Sequence, residues 1–134
     1  MRAVAVAPSG SVQHDSWLTK LRTQAKKGGF KDTRPEEILS GVLSAVVKKA
    51  GINPALIGDI TVGNVLPAGG GATAARMAAL HSGIPNTVPI STVNRQCASG
   101  LQAVNIIAAE INSGMIDIGV GTCAPLQTSC QPGR

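Results

Sequence analysis

The chain has 134 residues, enough for one domain with its own core, and an apolar fraction of 43% excludes a disordered tail. One Trp, one Phe and no Tyr exclude the aromatic surfaces on which single-stranded nucleic acids stack. The formal net charge of +5 comes from residues 1–49, which hold nine Lys and Arg against four Asp and Glu, whereas residues 50–134 are neutral. The positive charge of residues 1–49 fits either a surface that binds an anionic partner or a solvated face. No nucleic-acid-binding motif accompanies it.

The cysteines indicate a reducing compartment. The number of cysteines is odd, and no two of them have Cys-x-x-Cys spacing; they are Cys97, Cys123 and Cys130. This argues against a disulfide scaffold and against a structural zinc site. No apolar run approaches the roughly 20 residues of a membrane span. Residues 3–8 are too short for a clear signal-peptide core. We therefore expect an intracellular protein with no metal and no membrane span.

The first predicted element with a clear period begins at Thr33. Residues 1–27 mix polar and small residues without a sustained period and are predicted to be irregular, although 17–22 fits a strand or a short helix. Thr33 and Glu36 have the spacing of a capping box. Apolar residues then repeat with helical spacing as far as Gly51, which can end the helix.

The rest of the chain alternates strands and helices. Strands are predicted at residues 59–66, 87–93 and 116–121, and helices at residues 72–82 and 97–113. A Gly-rich turn at residues 69–71 precedes the first of these helices. Such alternation predicts an α/β fold, a parallel or mixed sheet covered by helices. Residues 123–134 show no period and are interpreted as a divergent tail.

Cys97 is the main candidate for chemistry. It stands at a predicted strand-to-helix junction, where the first backbone N–H groups of a helix favour a thiolate. Its own N–H group can face a developing oxyanion. Small residues at 98–100 leave room for an acyl group. The alternative is a buried, inert cysteine, and the residues alone leave both interpretations open.

The partners that a nucleophile needs are less clear. A cysteine nucleophile usually has a histidine base, and His14 and His81 are both compatible with plain surface positions. Gly69-Gly70-Gly71 can bind phosphate through backbone N–H groups or form a tight turn, and it matches no nucleotide-binding motif. Cys123 and Cys130 have neither metal-ligand spacing nor a base nearby.

Four segments resemble the thiolase family, and more closely its peroxisomal 3-ketoacyl-CoA type. They occur along the chain in the same order as in the family. They are VNRQCASGLQAV around Cys97, GGFKDTRPEEIL, DITVGNVLPAGGGATAARMAALHSGIP and MIDIGVG. The resemblance implies that residues 28–122 are a partial N-terminal thiolase domain, an incomplete N-terminal half of the fold. It also implies an acetyl-CoA C-acyltransferase in which Cys97 carries the acyl group as a thioester.

The resemblance further implies coenzyme A as co-substrate, no bound cofactor, an acyl-CoA substrate in fatty-acid β-oxidation and a homodimer if the fold is completed. It implies a peroxisomal location, although no targeting motif is seen, with a mitochondrial or cytoplasmic one as the alternative. Family members also use a His in Gly-His-Pro, a Cys in Cys-x-Gly and an Asn in Asn-Glu-Ala-Phe. None of these motifs occurs in the 134 residues.

These absent motifs predict a truncated product that has no turnover alone. The main alternative to an acyltransferase is therefore a non-catalytic fragment that associates at most with full-length thiolase subunits. A third hypothesis is a small reactive-thiol or anion-binding protein.

Overall fold

The structure, a computed structural model, describes residues 3–6, 13–14 and 33–124 of the chain. The possible element at residues 17–22 and the side chain of Cys130 lie outside the described residues. The helices are α1 (Pro35–Ala50), α2 (Ala72–His81) and α3 (Ser99–Asn112). The strands are β1 (Ala3–Val6), β2 (Gln13–His14), β3 (Asp59–Gly63), β4 (Ile90–Val93) and β5 (Gly119–Cys123).

Helix α1 begins one residue later than the predicted capping box. The cap is Arg34, whose backbone N–H donates to Glu37 Oε2 at 3.3 Å, so the predicted Thr33–Glu36 pairing is wrong by one position. Pro35 occupies the first helical position, where its missing N–H costs nothing. Gly51 ends the helix as predicted: at a φ of 63° it adopts the left-handed conformation that suits glycine.

The described strands form one mixed sheet in the order β2-β1-β5-β3-β4. Strand β3 pairs in parallel with both β4 and β5, in the registers Ile60↔Ile90 and Ile60↔Val120. Strand β1 pairs antiparallel with β5 and with β2. The predicted α/β alternation and the mixed sheet are thereby confirmed.

The prediction of an irregular front is wrong for β1 and β2. Residues Ala3–Val6 align antiparallel with Gly119–Thr122, so a short alternation of Ala and Val becomes a strand next to β5. The sequence gives no local sign of this pairing, because the partner lies more than 110 residues away. Tertiary context overrides weak local propensity here.

Side chains alternate between the two faces of the sheet. On one face, Ile60, Val62 and Val120 join an apolar core with residues of α1 and α2. The members of this core are Leu39, Leu43, Ile57, Ile60, Val62, Ala75, Ala78, Ala79, Ile84, Val88 and Val120. On the other face, glycines allow α3 to lie directly against the strands, so the described residues form a helix–sheet–helix arrangement.

Glycine residues on the α3 face set how close that helix comes. A Cβ at Gly63 would lie 2.5 Å from the Ser99 carbonyl carbon and 2.7 Å from the Gly100 nitrogen. A Cβ at Gly121 would lie 2.8 Å from Val104 Cα. These obstacles are backbone atoms, which cannot rotate away as the end of a side chain can. The start of α3 is thus held against the carboxyl ends of β3 and β5.

A carboxyl pair lies at the opposite end of the same face. Burial raises the pKa of Asp59, although the Ile60 N–H, 2.7 Å from Asp59 Oδ1, opposes that rise. Burial also raises the pKa of Glu110, and the nearby charge of Asp59 raises it further. Glu110 Oε2 is buried and, in the described part of the chain, has no hydrogen-bond partner.

We expect Glu110→Gln to stabilise the fold at neutral pH and to weaken its pH dependence. The pKa values of both carboxyls in the folded chain exceed the ordinary values of 3.8 and 4.5. The protonated pair therefore makes its full contribution to the free energy of unfolding at a pH below these ordinary values. That contribution is lost as pH rises through the folded-state values. Removing one charge should therefore raise the free energy of unfolding at pH 7 by about 0.5 kcal/mol and change it little at pH 4. Urea unfolding across this range measures the effect.

Asp117→Asn is the matched control, since Asp117 is exposed and lies on the loop before β5. The control should shift stability little and equally at both pH values. If Glu110→Gln lost more stability at pH 7 than at pH 4, the assigned repulsion would be wrong.

Within the described part of the chain, no helix has both the length and the apolar content needed to cross a membrane.

Candidate functional site around Cys97

Cys97 lies in the turn between β4 and α3, at the carboxyl edge of the parallel strands. The ends of β3, β4 and β5 meet there because parallel strands place their carboxyl ends at one edge. The turn forms one wall of a pocket of about 130 Å³. The residues that line it, together called the Cys97 pocket, are Gly63, Asn64, Val65, Gln96, Cys97, Ser99, Gly100, Leu101, Cys123 and Ala124.

Two predictions about Cys97 need correction. It was predicted to begin the helix, but the first residue of α3 is Ser99, two positions later. From its place at a strand-to-helix junction we also predict partial shielding of the thiol, whereas Cys97 is exposed. The helix begins later because the Ser99 N–H and hydroxyl both bond back to the Gln96 carbonyl oxygen. Cys97 remains adjacent to the amino end of α3, so the N–H groups of its first turn still favour a negative charge nearby.

Cys123 was interpreted as part of a divergent tail, but it is the last residue of β5 and lines the Cys97 pocket. A Cβ at Gly100 would lie 3.1 Å from Cys123 Cβ and 3.6 Å from its Sγ. One signal in the sequence was usable: a strand that runs parallel to β3 must end at the same edge of the sheet. The predicted strand at 116–121 stopped too early to show it.

The Gly-rich segment is a tight turn held by Asn64. Gly69, Gly70 and Gly71 all have positive φ angles, between 64° and 72°. The Asn64 side chain is buried, and its Nδ2 donates to the Gly70 carbonyl oxygen at 3.1 Å. A Cβ at Gly71 would clash with that nitrogen. These contacts support the tight-turn interpretation over phosphate binding.

Within residues 33–124, the one histidine, His81, is not among the residues that line the Cys97 pocket. His81 ends α2, and its Nδ1 lies 2.9 Å from Ser40 Oγ on α1, so it links two helices. His14 belongs to β2. Within residues 33–124, no group of three or more His, Cys, Asp or Glu could hold a metal. The geometry therefore offers an exposed thiol next to the amino end of α3, and within residues 33–124 no histidine lines the pocket.

We expect Cys97 to alkylate faster than Cys123 at pH 7. Cys97 is exposed and adjacent to the amino end of α3, whereas Cys123 is half-buried behind Gly100. Timed iodoacetamide labelling with peptide mapping gives both rates in one sample. Labelling in urea supplies the control, since the two rates should converge when the chain unfolds. Equal rates in the folded chain, or a faster Cys123, would contradict this prediction.

Comparison with known proteins identifies the family and agrees with this fold. The model of the thiolase N-terminal domain matches residues 18–123. This match covers most of the chain, so the chain belongs to the thiolase family.

Its relatives include peroxisomal enzymes. Over 97 residues it is 58% identical to the peroxisomal 3-ketoacyl-CoA thiolase of Homo sapiens, covering 72% of this chain and 23% of that protein. Over 99 residues it is 56% identical to the peroxisomal 3-ketoacyl-CoA thiolase 1 of Arabidopsis thaliana, covering 73% and 22%. The chain thus spans about a quarter of the length of such relatives.

Solved structures show the same likeness. The dimeric peroxisomal thiolase of Saccharomyces cerevisiae matches with a TM-score of 0.63 and 45% identity, covering 69% of this chain and 25% of that one. An acetyl-CoA acetyltransferase of Bacillus anthracis matches with a TM-score of 0.66 and 31% identity, covering 80% and 29%. The described fold is therefore part of the thiolase fold.

Proposed function

We propose that this chain is the acyl-accepting part of a 3-ketoacyl-CoA thiolase, with Cys97 as the nucleophile. The observation that carries the proposal is the exposed Cys97 thiol between β4 and α3, within a segment that matches the family model. The 3-ketoacyl-CoA thiolases named above are the basis for the substrate class. Coenzyme A is the co-substrate, and neither a metal nor a bound cofactor takes part.

The reaction begins when the Cys97 thiolate attacks the 3-keto carbon of the substrate. The bond between carbons 2 and 3 breaks, and the acyl group stays on Cys97 as a thioester. The departing acetyl-CoA carbanion takes up a proton. The thiolate of a second coenzyme A then attacks the thioester, which releases the shortened acyl-CoA and restores Cys97.

The proton transfers need groups that these 134 residues do not carry. The Gly-His-Pro, Cys-x-Gly and Asn-Glu-Ala-Phe motifs of the family are absent from the sequence. Acyl exchange between a thioester and a thiolate creates no carbanion, so it needs less of this machinery. Cys97 can therefore exchange acyl groups with acetyl-CoA even where carbon–carbon cleavage is not supported.

Acyl exchange gives the test of the proposal. The chain is incubated with acetyl-CoA, and peptide mapping by mass spectrometry locates any acetyl thioester. Acetylation should occur on Cys97, disappear in Cys97→Ala and persist in Cys123→Ala, which removes the other thiol of the same pocket. Acetylation of Cys123 instead, or of neither cysteine, would overturn the assignment.

Assembly and location are part of the same proposal. A homodimer is supported by the dimeric Saccharomyces thiolase, and a peroxisomal location by the names of the relatives. Expression of the tagged chain in cells, followed by microscopy with peroxisomal and mitochondrial markers, distinguishes the locations. A mitochondrial or cytoplasmic signal would contradict the peroxisomal one.

A second candidate is a non-catalytic chain that associates with full-length thiolase subunits. Two surfaces favour it. Strand β4 forms an outer edge of the sheet among the described residues. Leu101 at the start of α3 and Met115 after its end are 66% and 75% exposed, so their apolar surfaces are open to a partner. Co-purification with a full-length thiolase, without acetylation of Cys97, would support this role.

A further inference from the structure

We infer that Ser99 is a positioning residue, whose hydroxyl holds Gln96 in a left-handed backbone conformation and so fixes where Cys97 is presented. The inference rests on the proposed role of Cys97 as the nucleophile. It concerns the turn of residues 94–99, which joins β4 to α3.

Gln96 has a backbone conformation that needs support. Its φ angle is 50°, and among the described residues it is the only one other than glycine with a positive φ. Such a conformation is unfavourable for a residue with a Cβ and persists where surrounding contacts impose it. Gln96 directly precedes Cys97, so its φ and ψ angles set the direction in which the chain delivers the thiol.

The Ser99 hydroxyl makes two hydrogen bonds across this residue. Ser99 Oγ donates to the Gln96 carbonyl oxygen at 2.6 Å and accepts from the Arg95 N–H at 2.8 Å. These two backbone groups lie on either side of the Gln96 Cα. A third bond comes from the other end of the turn, where the Gln96 N–H donates to Asn94 Oδ1 at 3.0 Å. The strained residue is therefore held by two side chains.

Ser99 is also the fixed end of this arrangement. It is 2% exposed, whereas Gln96 and Cys97 are exposed. Its backbone lies against Gly63, where an added Cβ would come within 2.5 Å. Through its hydrogen bonds, the hydroxyl therefore ties the exposed turn to the fixed amino end of α3.

Loss of the hydroxyl should lower the reactivity of Cys97. The thiol is already exposed, so a relaxed turn cannot accelerate a reagent by improving its access. A relaxed turn would instead change where the chain places the thiol relative to the amino end of α3, which begins two residues later. For Ser99→Ala we expect the iodoacetamide rate of Cys97 to fall about tenfold. The free energy that a left-handed residue stores is about the size that corresponds to a tenfold change in rate. The rate of Cys123, mapped in the same sample, should not change.

A second substitution separates positioning from general loss of structure. Glycine adopts positive φ without cost, so Gln96→Gly in the Ser99→Ala background should restore most of the Cys97 rate. Gln96→Ala in the same background removes the same side chain but keeps a Cβ, so it should restore nothing. A merely structural defect would not depend on whether residue 96 is Gly or Ala.

Asn94→Ala keeps the inference testable if Ser99→Ala does not fold, as judged by circular dichroism. Asn94 is exposed, and its loss removes the bond to the Gln96 N–H. A smaller fall in the Cys97 rate that Gln96→Gly reverses would support the inference. A normal Cys97 rate in a folded Ser99→Ala protein, or equal effects of Gly and Ala at position 96, would overturn it. Alkylation needs no acyl-CoA, so these outcomes are independent of whether Cys97 accepts an acetyl group.

Discussion

Gly63→Ala should destabilise the fold by about 3 kcal/mol, a large share of the 5–15 kcal/mol typical of a domain. The new methyl group would lie 2.5, 2.6 and 2.7 Å from the Ser99 carbon, the Ser99 oxygen and the Gly100 nitrogen. All three are backbone atoms at the start of α3, so the helix must move away from β3. Urea unfolding followed by circular dichroism measures the loss.

Gly41→Ala is the matched control for this substitution. Gly41 lies within α1, is exposed, and a Cβ there would meet no atom within 4 Å. The same added methyl group should therefore stabilise the chain by about 0.5–1 kcal/mol, because alanine favours the helix over glycine. If the two variants were equally stable, the close approach of β3 and α3 would be refuted.

The 134-residue chain alone should cleave acetoacetyl-CoA at a rate indistinguishable from the uncatalysed one. Cleavage of the carbon–carbon bond creates a carbanion that must be protonated as it forms. Each missing general acid or base typically costs about 10²–10⁴-fold in rate. Misplaced substrate costs more, because effective positioning contributes about 7–11 kcal/mol in well-oriented reactions. The loss of acetoacetyl-CoA in the presence of coenzyme A, followed by absorbance, measures turnover.

Acyl exchange on the same preparation is the positive control. Acetylated Cys97 without turnover would show a competent nucleophile that lacks the proton-transfer groups. Turnover that persists in Cys123→Ala and vanishes in Cys97→Ala would show that these residues suffice for catalysis, contrary to this prediction.

The local parts of the fold were predictable from the sequence. The apolar spacing after Thr33, the glycine at residue 51 and the mostly apolar segment 60–66 each determine a nearby element. Alternation of these elements then leaves few topologies other than a parallel sheet with helices on its faces. The resemblance around Cys97 added the family, which local physics did not provide.

The parts that were missed depend on strand pairing or on side-chain hydrogen bonds, which apolar spacing along the sequence does not show. Strand β1 is only four residues long and joins the sheet by pairing with β5, more than 110 residues later. Cys123 enters the Cys97 pocket because two strands end at one edge of the sheet. The late start of α3 follows from hydrogen bonds of Ser99 to Gln96, which helix periodicity does not register.

The pairing of β1 with β5 affects the order in which the chain can fold during synthesis. Ala3 pairs with Thr122, so the ribosome must make more than 110 further residues before the partner exists. At typical elongation rates of about 5–20 residues per second, this delay is roughly 6–24 s. During that time the edge of β1 that later pairs with β5 has no partner. Strand β1 is therefore synthesised long before it can pair with β5, and a nascent chain that stalls before residue 119 cannot complete this pairing.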